Sequence, residues 1–180
     1  MLTDFYHLQP SNRKSITASY NAQGDLIIKA PLGYPTDKID QFLAKNSGAL
    51  WHLKQKTQKK TYFKKEIFKE SFKKFQAIKV IQERFAVMHQ KATLLDIKTN
   101  QPIAIKIMTS RWGSCKNNGV ICLNLFLGLL PIPLIDAVIA HELCHLQEMN
   151  HSKRFYALLD ILYPSHRKCD QDLRQYVLCR

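Results

Sequence analysis

Residues His141-Glu142-Leu143-Cys144-His145-Leu146-Gln147-Glu148-Met149-Asn150-His151 follow the apolar run Pro133-Leu134-Ile135-Asp136-Ala137-Val138-Ile139-Ala140, and the reading of the whole chain turns on them. The pattern H-E-x-x-H carries a mechanism. Residues four apart share one face of a helix, with Cβ atoms roughly 5–6 Å apart, so His141 and His145 can reach one Zn²⁺ at about 2.0–2.1 Å each. Glu142 sits beside the first imidazole and need not bind the metal; in a zinc hydrolase it takes a proton from metal-bound water. The run before it is apolar on nearly every side, as in a buried helix. Two His and a Glu there require partners, because uncompensated buried polar groups cost free energy. A metal ion meets that demand; a pair of hydrogen-bonded core histidines is the plainer alternative.

A catalytic zinc usually keeps three protein ligands and one open position. His151 is the candidate third. On an unbroken helix it would lie about 9 Å beyond His145 and point elsewhere, so the helix is expected to end between them. Asn150, which tolerates the left-handed conformation, is the expected breaker, with Ser152 capping a new helix over 153–162. Asp160 and His166 are the runner-up ligands. No Glu occurs after Glu148.

The chain of 180 residues suits one domain with a core of its own. No apolar run approaches the ~18 residues of a membrane span, and Met1 to Pro10 lacks the basic and apolar regions of a signal peptide. The five cysteines, Cys115, Cys122, Cys144, Cys169 and Cys179, form no C-x-x-C. Free thiols and a cytoplasmic location are the expectation. The formal net charge is +13, and the segment 54–91, with twelve Lys/Arg against three Glu, carries +9 of it. Such a balance draws a protein to nucleic acid, anionic membrane surfaces or acidic proteins.

In chain order, residues 14–30 predict a hairpin: strands over 15–20 and 26–30 about a turn at 21–25. Thr36 is the expected N-cap of a helix over 37–45, and residues 49–59 are expected to be helical again. Over 66–90 the residues Phe68, Phe72, Phe75, Ile78, Ile81 or Gln82, Phe85 and Met88 recur at helical spacing, which predicts an aromatic core stripe with lysines on the solvated face. Strands are expected at 96–98 and 102–108. Ser110–Cys115 and Val120–Asn124 flank Lys116-Asn-Asn-Gly119 as a second hairpin, and a last helix is expected over 167–177. The order implies an α+β fold, with a small mixed sheet packed on the H-E-x-x-H helix and further helices around it. We expect a single domain over 1–180, divided into an N-terminal hairpin and basic helical part, 14–95, and a catalytic core, 96–180.

At Ser110-Arg-Trp-Gly-Ser-Cys115, Ile121-Cys-Leu-Asn124, His141-Glu-Leu-Cys-His145, Asn150-His-Ser152 and Phe155, the chain closely resembles the YgjP-like metallopeptidase family, itself related to SprT-type and other zincin-like peptidases. The resemblance spans roughly Lys14 to Leu173 and is most specific from Ser110 onward. It implies a zincin-like fold, one Zn²⁺ on His141, His145 and His151, and Glu142 as general base. The spacing is also similar to that of metzincins, but Glu148 stands where those have Gly, and no Met lies beyond Met149; their substrate preferences are not carried over.

The resemblance assigns no role to Arg111 or Trp112. The 110–115 hairpin could be a sheet edge that receives an extended peptide, with Arg111 on a substrate carbonyl or carboxylate; a structural hairpin with a core Trp112 is the alternative. Asn124 could brace a loop, and Tyr156 could stabilise an oxyanion or simply pack. The expected function is a zinc-dependent peptidase acting on a peptide or protein. The competing class is a nucleic-acid-associated zinc protein, including a protease acting on DNA-bound proteins, that binds through residues 54–91. A purely structural zinc module is disfavoured, since a closed site has four ligands and no base.

Overall fold

The computed structural model describes residues 6–21, 23–58 and 60–179. The first five residues of the N-terminal stretch, and Lys59 of the basic segment, lie outside the described residues. The chain forms two compact units, Met1–Lys60 and Thr61–Arg180.

The first unit holds strands β1 (Tyr6–Ser11), β2 (Thr17–Tyr20) and β3 (Leu26–Pro31), then helices α1 (Thr36–Lys45) and α2 (Ser47–Gln58). The 14–30 hairpin is present: β2 runs antiparallel to β3, with Thr17 opposite Lys29 and Tyr20 opposite Leu26. Its turn follows from Asn21, whose side-chain oxygen accepts from the backbone N–H of Gln23 and Asp25, and from Gly24 at φ 90°. On β3, buried Ile28 and Ala30 alternate with exposed Lys29, the period of a half-buried strand. β1 pairs parallel on the other side of β3; its local pattern gave no strand signal. Thr36 is the first residue of α1 and not its cap, for Pro35 holds the extended N-cap conformation without a side-chain hydrogen bond.

The second unit is mixed α+β. It contains β4 (Thr61–Phe63), a 3₁₀ turn (Lys65–Phe68), α3 (Ser71–Thr93), β5 (Ala104–Lys106), β6 (Gly113–Cys115), β7 (Ile121–Asn124), a second 3₁₀ turn (Leu125–Leu129), α4 (Ile132–Cys144), α5 (Lys153–Leu162), α6 (His166–Leu173) and β8 (Tyr176–Leu178). One sheet has the order β5-β7-β6 and the other pairs β4 with β8. β7 is central, buried at every residue, and antiparallel to β6 as the second hairpin predicts. α4 is buried from Leu134 to Ala140 and is covered by α3, α5, α6 and β6. The one charge in its apolar run, Asp136, accepts both Nε and a terminal nitrogen of Arg84 at 2.8 and 2.7 Å, tying α4 to α3.

Three further local expectations fail. Residues 96–98 are not a strand: Asp96 turns the chain at φ 60° and Ile97 is buried. The last helix stops at Leu173, and β8 then pairs with β4. The aromatic stripe expected over 66–90 divides between the 3₁₀ turn and α3. Phe68 is in the core, but Phe72 and Phe75 are 68% and 64% exposed, while Ala77, Ile81, Met88 and Ala92 form the buried face. The cause is close approach: a Cβ on Gly128 would lie 2.5 Å from the Ala77 backbone. Only small residues fit that seam, and Phe72 and Phe75 lie roughly 140–160° around the helix from Ala77.

Candidate metal centre

α4 ends at Cys144, so His145 occupies the C-cap position. The break therefore comes earlier than Asn150. Asn150 does not take the left-handed conformation, since Asp96 is the only non-glycine with positive φ among the described residues; instead its carbonyl accepts from the Ser152 N–H at 2.7 Å. Ser152 then caps α5, its hydroxyl accepting from the Phe155 N–H. This turn folds His151 back over α4. Its Nε2 lies 3.0 Å from Nε2 of His141, which is 3.2 Å from Nε2 of His145.

Three nitrogens held at about 2.0–2.1 Å around a tetrahedral ion stand about 3.3 Å apart, close to these separations. The donor set fits in its protonation too. Nδ1 of His145 lies 3.0 Å from the Glu148 carbonyl; a carbonyl only accepts, so Nδ1 carries the proton and the Nε2 lone pair faces the cluster. Burial, and then the neighbouring imidazoles, push His141 down to about 4, leaving it neutral at physiological pH, the form that a metal ion would require. The ring of Phe155 lies 4.6–4.9 Å from all three imidazoles and forms an apolar floor. Among the described residues, this is the one group of three or more His, Cys, Asp or Glu side chains whose donor atoms converge, all within 4.8 Å. Asp160 and His166 are not in it; they pair with each other at 2.8 Å, and Arg167 also donates to Asp160.

Glu142 is 6% exposed. Burial pushes its carboxyl up to about 7, against the opposing pull of Arg111. Its carboxyl group lies against β6 where Gly113 has no side chain: a Cβ there would be 2.6 Å from Oε1. Glu142 and the three imidazoles line an open cleft of about 540 Å³ whose other wall is Ser110, Arg111 and β6. Fully buried Asn124 holds that wall, donating to the carbonyls of Met108 and Arg111 at 2.8 Å each while its oxygen accepts from the Phe126 N–H. Trp112 packs edge-on against Phe63 of the core at 5.9 Å. Tyr156 is 39% exposed, its ring 6.3 Å from His151 and from His166.

The fit of Gly113 against Glu142, the Phe155 floor and the Glu148 carbonyl were not legible as site features. The glycine and the phenylalanine stand inside the motifs quoted above, but their task depends on neighbours distant in sequence. No membrane-crossing helix exists among the described residues, and all five cysteines are free.

No curated protein matches the chain. The YgjP-like metallopeptidase domain matches residues 52–176, which covers β4, the whole H-E-x-x-H helix and the turn to His151. With that match over more than half its length, the chain belongs to the YgjP-like family of metallopeptidase domains.

Proposed function

We propose that the protein is a zincin-like peptidase that hydrolyses peptide bonds with one Zn²⁺ held by His141, His145 and His151 and with Glu142 as general base. The observation that carries this reading is the convergence of three Nε2 atoms beside a buried carboxylate in an open cleft. When bound, zinc supplies a Lewis acid that polarises the scissile carbonyl and makes water more acidic. The protein's residues do the rest. Glu142 accepts the proton of the attacking water and hands it to the leaving nitrogen, so that one carboxylate serves as base and then as acid. Burial raises that carboxyl in the metal-free site, and a neighbouring cation would draw it back toward the ionised form that accepts the proton. β6 is an edge strand of its sheet, the kind of element to which an extended peptide adds as a further strand.

The test is metal analysis of the purified protein together with cleavage of a mixed protein pool, with and without chelator. We expect one equivalent of zinc, and activity that is lost on chelation and restored by zinc. In Glu142→Gln, zinc content and thermal stability should stay near wild type while kcat falls by about 10²–10⁴. Wild-type turnover in that variant would place the base elsewhere; loss of zinc from it would make Glu142 a metal-binding or metal-orienting group.

A second reading, nucleic-acid association, draws on α3. Phe72 and Phe75 stand exposed among Lys69, Lys73, Lys74 and Lys79, and exposed aromatics within a basic face suit stacking with unpaired bases. Two of those lysines already face carboxylates, Lys73 with Glu70 at 3.1 Å and Lys79 with Glu83 at 3.9 Å, which reduces the free charge. Single-stranded DNA should then bind with a steep salt dependence, weakened by Phe72→Ser with Phe75→Ser. Absence of binding at low salt would leave the lysines as a solvated face.

A further inference from the structure

A second, smaller cavity of about 180 Å³ abuts the candidate site. It shares Gly113, His141 and Glu142 with the wide cleft. Its other walls are Trp112, Ala137, Val138 and Leu173, with Asp170 as its one additional charged group. Ala137 and Val138 precede His141 by four and three positions, so they lie on the same helix face one turn back. Asp170 is half exposed, and its carboxylate is 3.8 Å from His166. The imidazole of His141 and the carboxyl of Glu142 thus stand between a polar trough and an apolar recess. The recess is the size of a side chain: an apolar cavity of about 150 Å³ holds a benzene ring, and one water takes up about 30 Å³.

We propose that this recess is a specificity pocket that takes one apolar side chain of the substrate, of leucine to phenylalanine size, from a residue flanking the scissile bond. The inference rests on the peptidase reading and adds the substrate class to it. The substrate backbone lies in the wide cleft along β6. Gly113, and the Glu142 carboxyl packed against it, form the boundary that cleft and recess share. A glycine or aspartate at that substrate position leaves the apolar walls wet or sets a charge against Asp170 and Glu142, and is rejected. A side chain much larger than phenylalanine meets Trp112 and Leu173.

Leu173 is half-buried against the core and lines the recess but not the wide cleft, so it is the residue to change. The zinc-loaded protein and its Leu173→Ala and Leu173→Trp variants are compared on a denatured protein pool, with cleavage sites mapped by mass spectrometry. Wild type should cut beside Leu, Ile, Met or Phe at one fixed position. Leu173→Trp should lose at least about tenfold in kcat/KM at those sites, and Leu173→Ala should extend cleavage to bulkier residues. In parallel, ligand-detected NMR measures N-acetyl-leucine amide and N-acetyl-glycine amide. Wild type should prefer the leucine amide by at least about tenfold, and Leu173→Trp should abolish the difference. Unfolding curves identify a variant that fails to fold, in which case Leu173→Ala decides alone. Cleavage without side-chain preference, or a preference unmoved by both variants, overturns the pocket. A protein that cleaves nothing yet shows a leucine-amide preference altered by the Leu173 variants sinks the peptidase reading and leaves the pocket standing.

Discussion

At the scale of single residues, the candidate site depends on groups that bear no chemistry of their own. Gly113 leaves β6 open where the Glu142 carboxyl lies, and a Cβ there would sit 2.6–2.8 Å from three atoms of that side chain. A glutamate can swing aside, so Gly113→Ala should be tolerated by the fold yet move the carboxyl from its place. Peptidase kcat should fall by about 10²-fold, with zinc content unchanged, since misplacement by about 1 Å costs that much. Zinc analysis and steady-state kinetics check this, and wild-type kcat in the variant would show that Glu142 has room to spare. Asn124 acts in the same indirect way, by holding the carbonyls of Met108 and Arg111.

At the scale of elements, α4 is positioned by what surrounds it. Its bidentate ion pair with α3 joins Asp136, whose side chain is 9% exposed, to Arg84 at 25%. Asp136→Ala leaves a partly solvated guanidinium unpaired and should lower stability by about 1–2 kcal/mol, well below the cost for a fully buried pair because Arg84 still reaches water. Replacing both partners, as in Arg84→Met with Asp136→Leu, should recover most of that loss; chemical denaturation of the two variants compares them.

The α5–α6 corner behaves differently. A hydrogen bond from Arg167, and then one from His166, holds Asp160 below the usual carboxylate range. A depressed folded pKa stabilises above the unfolded value of about 4 and ceases to do so as pH falls through the folded value. In metal-free protein, Asp160→Asn should therefore melt lower than wild type near pH 6, and the gap should close below about pH 4. Equal melting temperatures across that range would remove Asp160 from the stability of the corner.

At the scale of the whole molecule, the main hydrophobic core is drawn from Phe63 to Cys169, all within the unit that begins at Thr61. Residues 61–180 expressed alone should fold cooperatively and bind zinc. Circular dichroism and metal titration test this, and an unfolded fragment would show that the first sixty residues are needed for that core.

What the sequence determined by itself is the local part of this design. The apolar run before His141 specifies a buried helix, the i, i+4 spacing places two imidazoles on one face, Ser152 caps the next helix, and Asn21 and Gly119 mark two hairpin turns. Each of these depends on neighbours within a few positions, which helical period and turn chemistry encode directly. Tertiary structure decided the rest. β4 and β8 lie more than a hundred residues apart, and such a pairing has no local signature. Which face of α3 is buried was settled by the close approach of Gly128 to Ala77 and not by the larger aromatic stripe. Gly113 against Glu142, and Phe155 beneath three imidazoles, exist only once α4, α5 and β6 meet, because their function is a distance between residues and not a property of any one of them.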